Sequence, residues 1–130
     1  MKKAHGHTSA KNIISSFHSK GSGTGHPPKL GDTIRLKYSI SYSDGNHRHV
    51  LPKGKSESMW FGRSGMPEGF KAGLLRLKAG ESGTWECVPE AGFEREVELE
   101  DNGKKFKIPA KTELHFDVDL EQVTVGAASN

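Results

Sequence analysis

Cysteine is nearly absent from this chain, with Cys87 the single one. A lone thiol excludes an internal disulfide framework and a paired-cysteine metal site, and it fits a reducing compartment. Long apolar runs are also missing, and nothing reaches membrane-spanning length. The N-terminus has no signal-peptide core, so the expectation is a cytoplasmic protein with no membrane partner. Acids are missing from residues 1–30, which hold Lys2, Lys3, Lys11, Lys20 and Lys29. The net charge of +3 therefore divides into +5 on that segment and −2 on the other hundred residues, where 14 basic side chains face 16 acidic ones. Such a basic end could touch nucleic acid or a membrane surface weakly. A soluble, mobile tail over residues 1–10 is the simpler reading, and no nucleic-acid partner is expected. Residues 11–125 then make one domain, with 126–130 a frayed end. A chain of 130 residues can bury a core without staples.

Chemical motifs are just as sparse. There is no phosphate loop, no dinucleotide fingerprint and no Ser-His-Asp pattern. His5, His7, His18 and His26 have nothing rigid to hold them together, and they read as solvated rather than as ligands. His115 and Asp117 alternate onto the wet side of a strand. Neither a metal nor a cofactor is expected.

What the chain does have is strand patterning around one helix. From Thr33 to Tyr42, Ile34, Leu36, Tyr38, Ile40 and Tyr42 point one way and Thr33, Arg35, Lys37, Ser39 and Ser41 the other. That is a strand with one buried and one wet face, as in an antiparallel sheet packed on one side. Ser43-Asp44-Gly45-Asn46 is a turn signal. Thr84–Val88 and Glu113–Val123 alternate likewise. Ile13, Ile14 and Phe17 suit a short helix or a strand, and periodicity does not decide between them.

The helix is expected over Met66–Leu77, where Phe70, Leu74 and Leu77 share a face. Pro67 suits a first turn and Lys78-Ala79-Gly80 a stop. Gly69 and Gly73 each cost about 1 kcal/mol against alanine there, so the preferred reading is close approach of another backbone.

Residues 94–108 form a hairpin if Asn102-Gly103 is the two-residue turn. Val97 then faces Ile108 and Leu99 faces Phe106, while Glu98 meets Lys107 and Glu100 meets Lys105 on the other side. Every such pair is apolar with apolar or acid with base, each contributing roughly 0.2–1 kcal/mol. The sum of these elements is an α+β domain whose antiparallel sheet is covered on one face by the helix. Tyr38, Phe70 and Phe116 converge inside it. On the residues alone they make either core or, with an open edge, an apolar pocket.

The order Gly31-Asp32-Thr33-Ile34-Arg35-Leu36-Lys37-Tyr38, Asp44-Gly45, Met66-Pro67-Glu68-Gly69-Phe70, Lys78-Ala79-Gly80-Glu81, Ile108-Pro109-Ala110 and Leu114–Leu120 resembles the FKBP-type peptidyl-prolyl isomerases. The resemblance runs from about Ile13 to Val123. It implies a twisted antiparallel half-barrel wrapped around one short helix, and an activity of rotating X–Pro bonds. It places Tyr38, Phe70, Phe93 and Phe116 in the catalytic surround, with Phe70 as the floor where the family usually has tryptophan. Met66, Pro67 and Ile108 become substrate-binding positions. Phe93 stands where a tyrosine hydroxyl normally donates to a substrate carbonyl. Arg48-His49 stands where the family has Phe-Asp, and these two are read as substrate-binding. Glu57 stands near an expected wall aromatic. The implied partners are proline-containing peptides or proteins and macrolide immunosuppressants, bound by a monomer. Two functions compete: an isomerase, and a catalytically silent module that binds a protein partner or acts as a chaperone.

Overall fold

The computed structural model describes residues 13–126. Strands β1 (Ile14–Lys20), β2 (Thr33–Asp44), β3 (His47–Leu51) and β4 (Glu57–Trp60) precede helix α1 (Glu68–Leu74). Strand β5 (Ser82–Cys87), a 3₁₀ turn at Pro89–Ala91, β6 (Val97–Asp101), β7 (Lys104–Ile108) and β8 (Leu114–Thr124) follow. The main sheet runs β1-β5-β8-β2-β3, and β4 pairs with the opening residues of β2 while β3 pairs with its end. All pairings are antiparallel. Register shifts at Arg35/Leu36 and at Ile14/Ser16 mark bulges, which bend strands and raise their twist. Over the described residues the fold is α+β, a curved antiparallel sheet around one short helix.

The alternation in β2 works as sequence patterning requires. Ile34, Leu36, Ile40 and Tyr42 are buried, but Tyr38 on the same face is only half-buried. Ser41 departs from its expected wet position because the Arg48 guanidinium covers it, donating to Ser41 Oγ at 2.8 Å. Leu114, Phe116, Val118 and Leu120 of β8 are buried in the same core. The Ile13–Phe17 ambiguity resolves to a strand. Phe17 lies opposite Trp85 with ring centroids 5.7 Å apart, so an available sheet edge decided what local periodicity left open.

The helix is shorter than Met66–Leu77. Pro67 caps it with an extended backbone (φ −64°, ψ 146°), and its carbonyl accepts from Phe70 and Lys71. At the other end Arg76 and Leu77 donate to Gly73 and Leu74, a tightening into i→i−3 bonds that ends the helix before Lys78. Glu68 and Lys71 pair at 2.7 Å along its surface.

The glycines are explained by a side chain rather than by another backbone. A Cβ at Gly73 would overlap the Trp85 indole, and one at Gly69 would overlap the Cys87 side chain. Trp85 Nε1 donates to the Gly69 carbonyl at 2.9 Å, so the indole is both packed and hydrogen-bonded. Two missing methyl groups thus let α1 lie directly on β5.

The β6–β7 hairpin has the expected register, with Val97 opposite Ile108, Leu99 opposite Phe106, Glu98 opposite Lys107 and Glu100 opposite Lys105. Asn102 and Gly103 both take positive φ, 52° and 84°, as a type I′ turn needs. The Tyr42 hydroxyl donates to the Lys107 carbonyl at 2.9 Å, and its ring meets Phe106 edge-on at 6.0 Å. These contacts tie the hairpin to the end of β2.

Two outcomes test this packing. Helix propensity alone says Gly73→Ala stabilises by about 1 kcal/mol. The indole contact says it destabilises, by about 1–3 kcal/mol for overpacking. Urea unfolding decides between them, and a raised midpoint contradicts the contact. The second concerns Asp119, whose carboxyl is held below its ordinary value by the Ser82 hydroxyl first and by Lys53. A depressed carboxylate stabilises above its unfolded pKa and loses that contribution as pH falls through the folded value. Asp119→Asn should therefore lower Tm at pH 7 and converge with the parent on acidification. A gap that persists unchanged in acid contradicts the assignment.

Candidate active site

Five elements converge on a hollow of about 270 Å³ on the helix side of the sheet. β2 contributes Tyr38 and Ile40, β4 Met59, the turn before the helix Arg63 to Pro67, α1 Phe70, β6 Leu99 and β8 Phe116; Phe93 comes from the loop after the 3₁₀ turn. Its walls are mostly apolar. The Phe70 ring lies 5.9 Å from Tyr38 at 63° and 5.2 Å from Phe116 at 49°. Trp85 lies behind both, 6.2 Å from Phe70 and 5.5 Å from Phe116. Tilted, edge-on and stacked geometries at these distances suit aromatic quadrupoles. Phe70 is only 5 % exposed, so what it offers is a patch of ring at the bottom of a recess.

The structure brings together Tyr38, Phe70, Phe93, Phe116, Met66 and Pro67 from the sequence reading. It leaves three positions outside. Ile108, the last residue of β7, is fully buried in the core rather than on the cavity wall. His49 stacks on Tyr42 with centroids 4.8 Å apart, where β2 leads into its turn. Arg48 alternates to the opposite face of the sheet, where it holds Ser41. The sheet period of two decides this: adjacent residues on β3 cannot both face the hollow.

Sequence reasoning missed Ile40, Met59, Leu99 and Arg63. Ile40 was legible, since it follows Tyr38 by two on the same face. Met59 needed the pairing of β4 with β2, where it opposes Ile34. Leu99 needed the docking of the hairpin. Arg63 sits in a turn with no periodicity to read.

The polar features gather at the mouth. Burial first, then the nearby Glu57 carboxylate, push the Tyr38 phenol above its ordinary value, and the Arg63 guanidinium acts the other way. Cys87 is buried against Gly69, and burial raises its thiol, which makes it a packing residue rather than a nucleophile.

A larger recess of about 400 Å³ lies on the opposite sheet face, and its polar lining includes Ser16, His18, Ser41, Arg48, His115 and Asp117. Nearby, Glu86, Glu113 and His115 offer ligand atoms within 4.8 Å of one another, and His115 Nδ1 is 3.4 Å from Glu86. The His115 ring lies against the Glu86 carboxylate on this polar face. The apolar hollow is the candidate site.

Comparison with known proteins gives three findings. Residues 25–121 match the sequence model described as FKBP-type peptidyl-prolyl cis-trans isomerase. A search of curated proteins gave no match. The fold is similar to the crystal structure of FkpA from Escherichia coli, with a TM-score of 0.62 and 22 % identity. That likeness covers 93 % of this chain and 58 % of FkpA, so the chain spans little more than half the length of that protein. The helix-covered antiparallel sheet, the aromatic hollow and the sequence match agree, and the chain belongs to the FKBP-type peptidyl-prolyl cis-trans isomerase family.

Proposed function

We propose that this protein catalyses cis–trans rotation of X–Pro bonds in peptide segments that enter the hollow. The observation that carries the reading is the open recess floored by Phe70 and walled by Tyr38, Phe93 and Phe116. The uncatalysed barrier, about 18–20 kcal/mol, is the resonance energy of a planar amide. Rotation makes and breaks no covalent bond, so the task is differential binding of a twisted amide. A twisted amide has lost much of its resonance dipole and suits an apolar surround better than the planar form does. Each tenfold of rate requires about 1.4 kcal/mol of that difference. The hollow's size and its ring-lined walls fit a pyrrolidine. Macrolide immunosuppressants are candidate ligands of the same surface.

One observation favours a second reading, a binding module without rapid catalysis. Phe93 lines the hollow with a ring that carries no hydrogen-bond donor. A proline would then be gripped without help to its carbonyl.

A relaxation assay on a proline tetrapeptide separates the two readings. The isomerase raises the exchange rate in proportion to added protein, whereas the binding module leaves it unchanged at micromolar concentration. Phe70→Ala would leave a cavity costing about 3–5 kcal/mol of stability, so Phe70→Leu is the informative change. It should reduce kcat/KM at least about tenfold, through loss of the ring wall. Unaltered kcat/KM in a folded Leu variant contradicts the site.

The hairpin is testable separately. Leu99 reaches the hollow from β6, so amide shifts from Val97 to Lys107 should move when peptide is added. Leu99→Ala should weaken peptide binding by about 1–2 kcal/mol of lost apolar contact. Unperturbed hairpin shifts at saturation contradict a role for it.

A further inference from the structure

A carbonyl carried into an apolar recess loses water and needs a donor, because leaving it unmade costs the full desolvation of the group. The hollow has few donors to give. Phe93 has none. The Glu57 carboxylate stands near enough to the Tyr38 phenol to compete for its one proton. Ser64 is a neutral hydroxyl at the exposed rim. Arg63 is the one charged side chain on the lining, and its guanidinium acts electrostatically on Tyr38.

Arg63 is also uncommitted. Arg35 pairs with Glu121, Arg48 with Ser41, and Arg76 lies over the Phe17 ring at 5.1 Å. Among the described residues Arg63 has no carboxylate within ion-pair distance and no side-chain hydrogen bond. Arg95 has no side-chain partner either, but it lines only the recess toward Glu90–Val97, and the position of Arg63 is what sets it apart. The hollow is flanked by two further recesses, one of about 690 Å³ toward Glu90–Val97 and one of about 620 Å³ toward Leu51–Glu57 and the hairpin tip. Arg63 lines the hollow and both flanks. A polypeptide that seats a proline in the hollow and continues along either flank passes this guanidinium.

We infer that Arg63 is the hydrogen-bond donor to the backbone carbonyl at the X–Pro bond of a bound polypeptide, supplying the donor that Phe93 does not. This rests on the prolyl-peptide reading above. A charged donor makes a shorter and stronger bond than a neutral one, and guanidinium N–H groups present a fixed fork. The two flanking recesses make the ligand an extended segment rather than an isolated proline.

The test is a cycle between side chain and ligand. Two capped, uncharged ligands are used: a proline tetrapeptide, and an isostere in which an alkene replaces the X–Pro amide, so the shape stays and the carbonyl goes. Binding is measured by calorimetry with the parent, Arg63→Ala and Arg63→Lys. The parent should bind the amide about tenfold tighter than the isostere, the size of one hydrogen bond to a charged group. Arg63→Ala should lose that preference and bind the isostere as the parent does. Arg63→Lys, still a donor, should keep most of the preference. A parent that does not distinguish the ligands overturns the inference. So does an Arg63→Ala variant that weakens both equally, or one that retains the preference. If the parent binds neither ligand, the prolyl-peptide reading falls and takes this one with it. Tight binding of both without discrimination removes Arg63 alone.

Discussion

The contact on which the rest of the structure depends is the Trp85 indole pressed against the glycine edge of α1. It is 2 % exposed, lies where a side chain at Gly73 would have been, and donates from Nε1 to the Gly69 carbonyl, while Cys87 fills the space a side chain at Gly69 would need. A helix of seven residues is too short to be stable by its own hydrogen bonds. It is held because one of its faces has no side chains in the way of the sheet. The helix-propensity cost of two glycines is offset by burial of a large aromatic that also satisfies its polar atom.

That contact sets the depth of the hollow. Phe70 and Phe116 rest on Trp85, so their rings stand at a height fixed from beneath. Tyr38 closes one side at 5.9 Å from Phe70. The hairpin closes another with Leu99, and the hairpin is in turn held by Tyr42 through the Lys107 carbonyl. The rings at the bottom of the site are thus held by strands and a helix, while the turn before the helix and the Phe93 loop complete its walls. An environment of that kind favours a group that becomes less polar as it reacts, which is what an amide does as it twists.

Much of this was legible in the residues. The two faces of β2 and β8 follow from alternation, and the 97–108 register follows from one turn and the sign of four charges. Phe70 was legible as an inward residue. Its being a floor rather than core was not, because openness depends on what the neighbouring loops leave uncovered. Tyr38 illustrates the gap: it alternates like Ile34 and Leu36, yet it alone of that trio is half-exposed, at the place where the hollow opens. Trp85 escaped notice as a functional support because its partner is an absence, two glycines distant in sequence. Arg48 and His49 were drawn together by adjacency in the chain, and the period of a strand sends them to opposite faces. The basic segment before residue 13 lies outside the described residues.

The central claim is spatial: a proline ring enters the recess above Phe70, on the helix side of the sheet. The most direct measurement is the set of intermolecular nuclear Overhauser contacts between the pyrrolidine protons of a bound peptide and assigned protein side chains. The account predicts contacts to the rings of Tyr38, Phe70 and Phe116, with the methyls of Leu99 nearby. Pyrrolidine contacts to His18, Arg48 or His115 instead would place the ligand on the opposite face and contradict it.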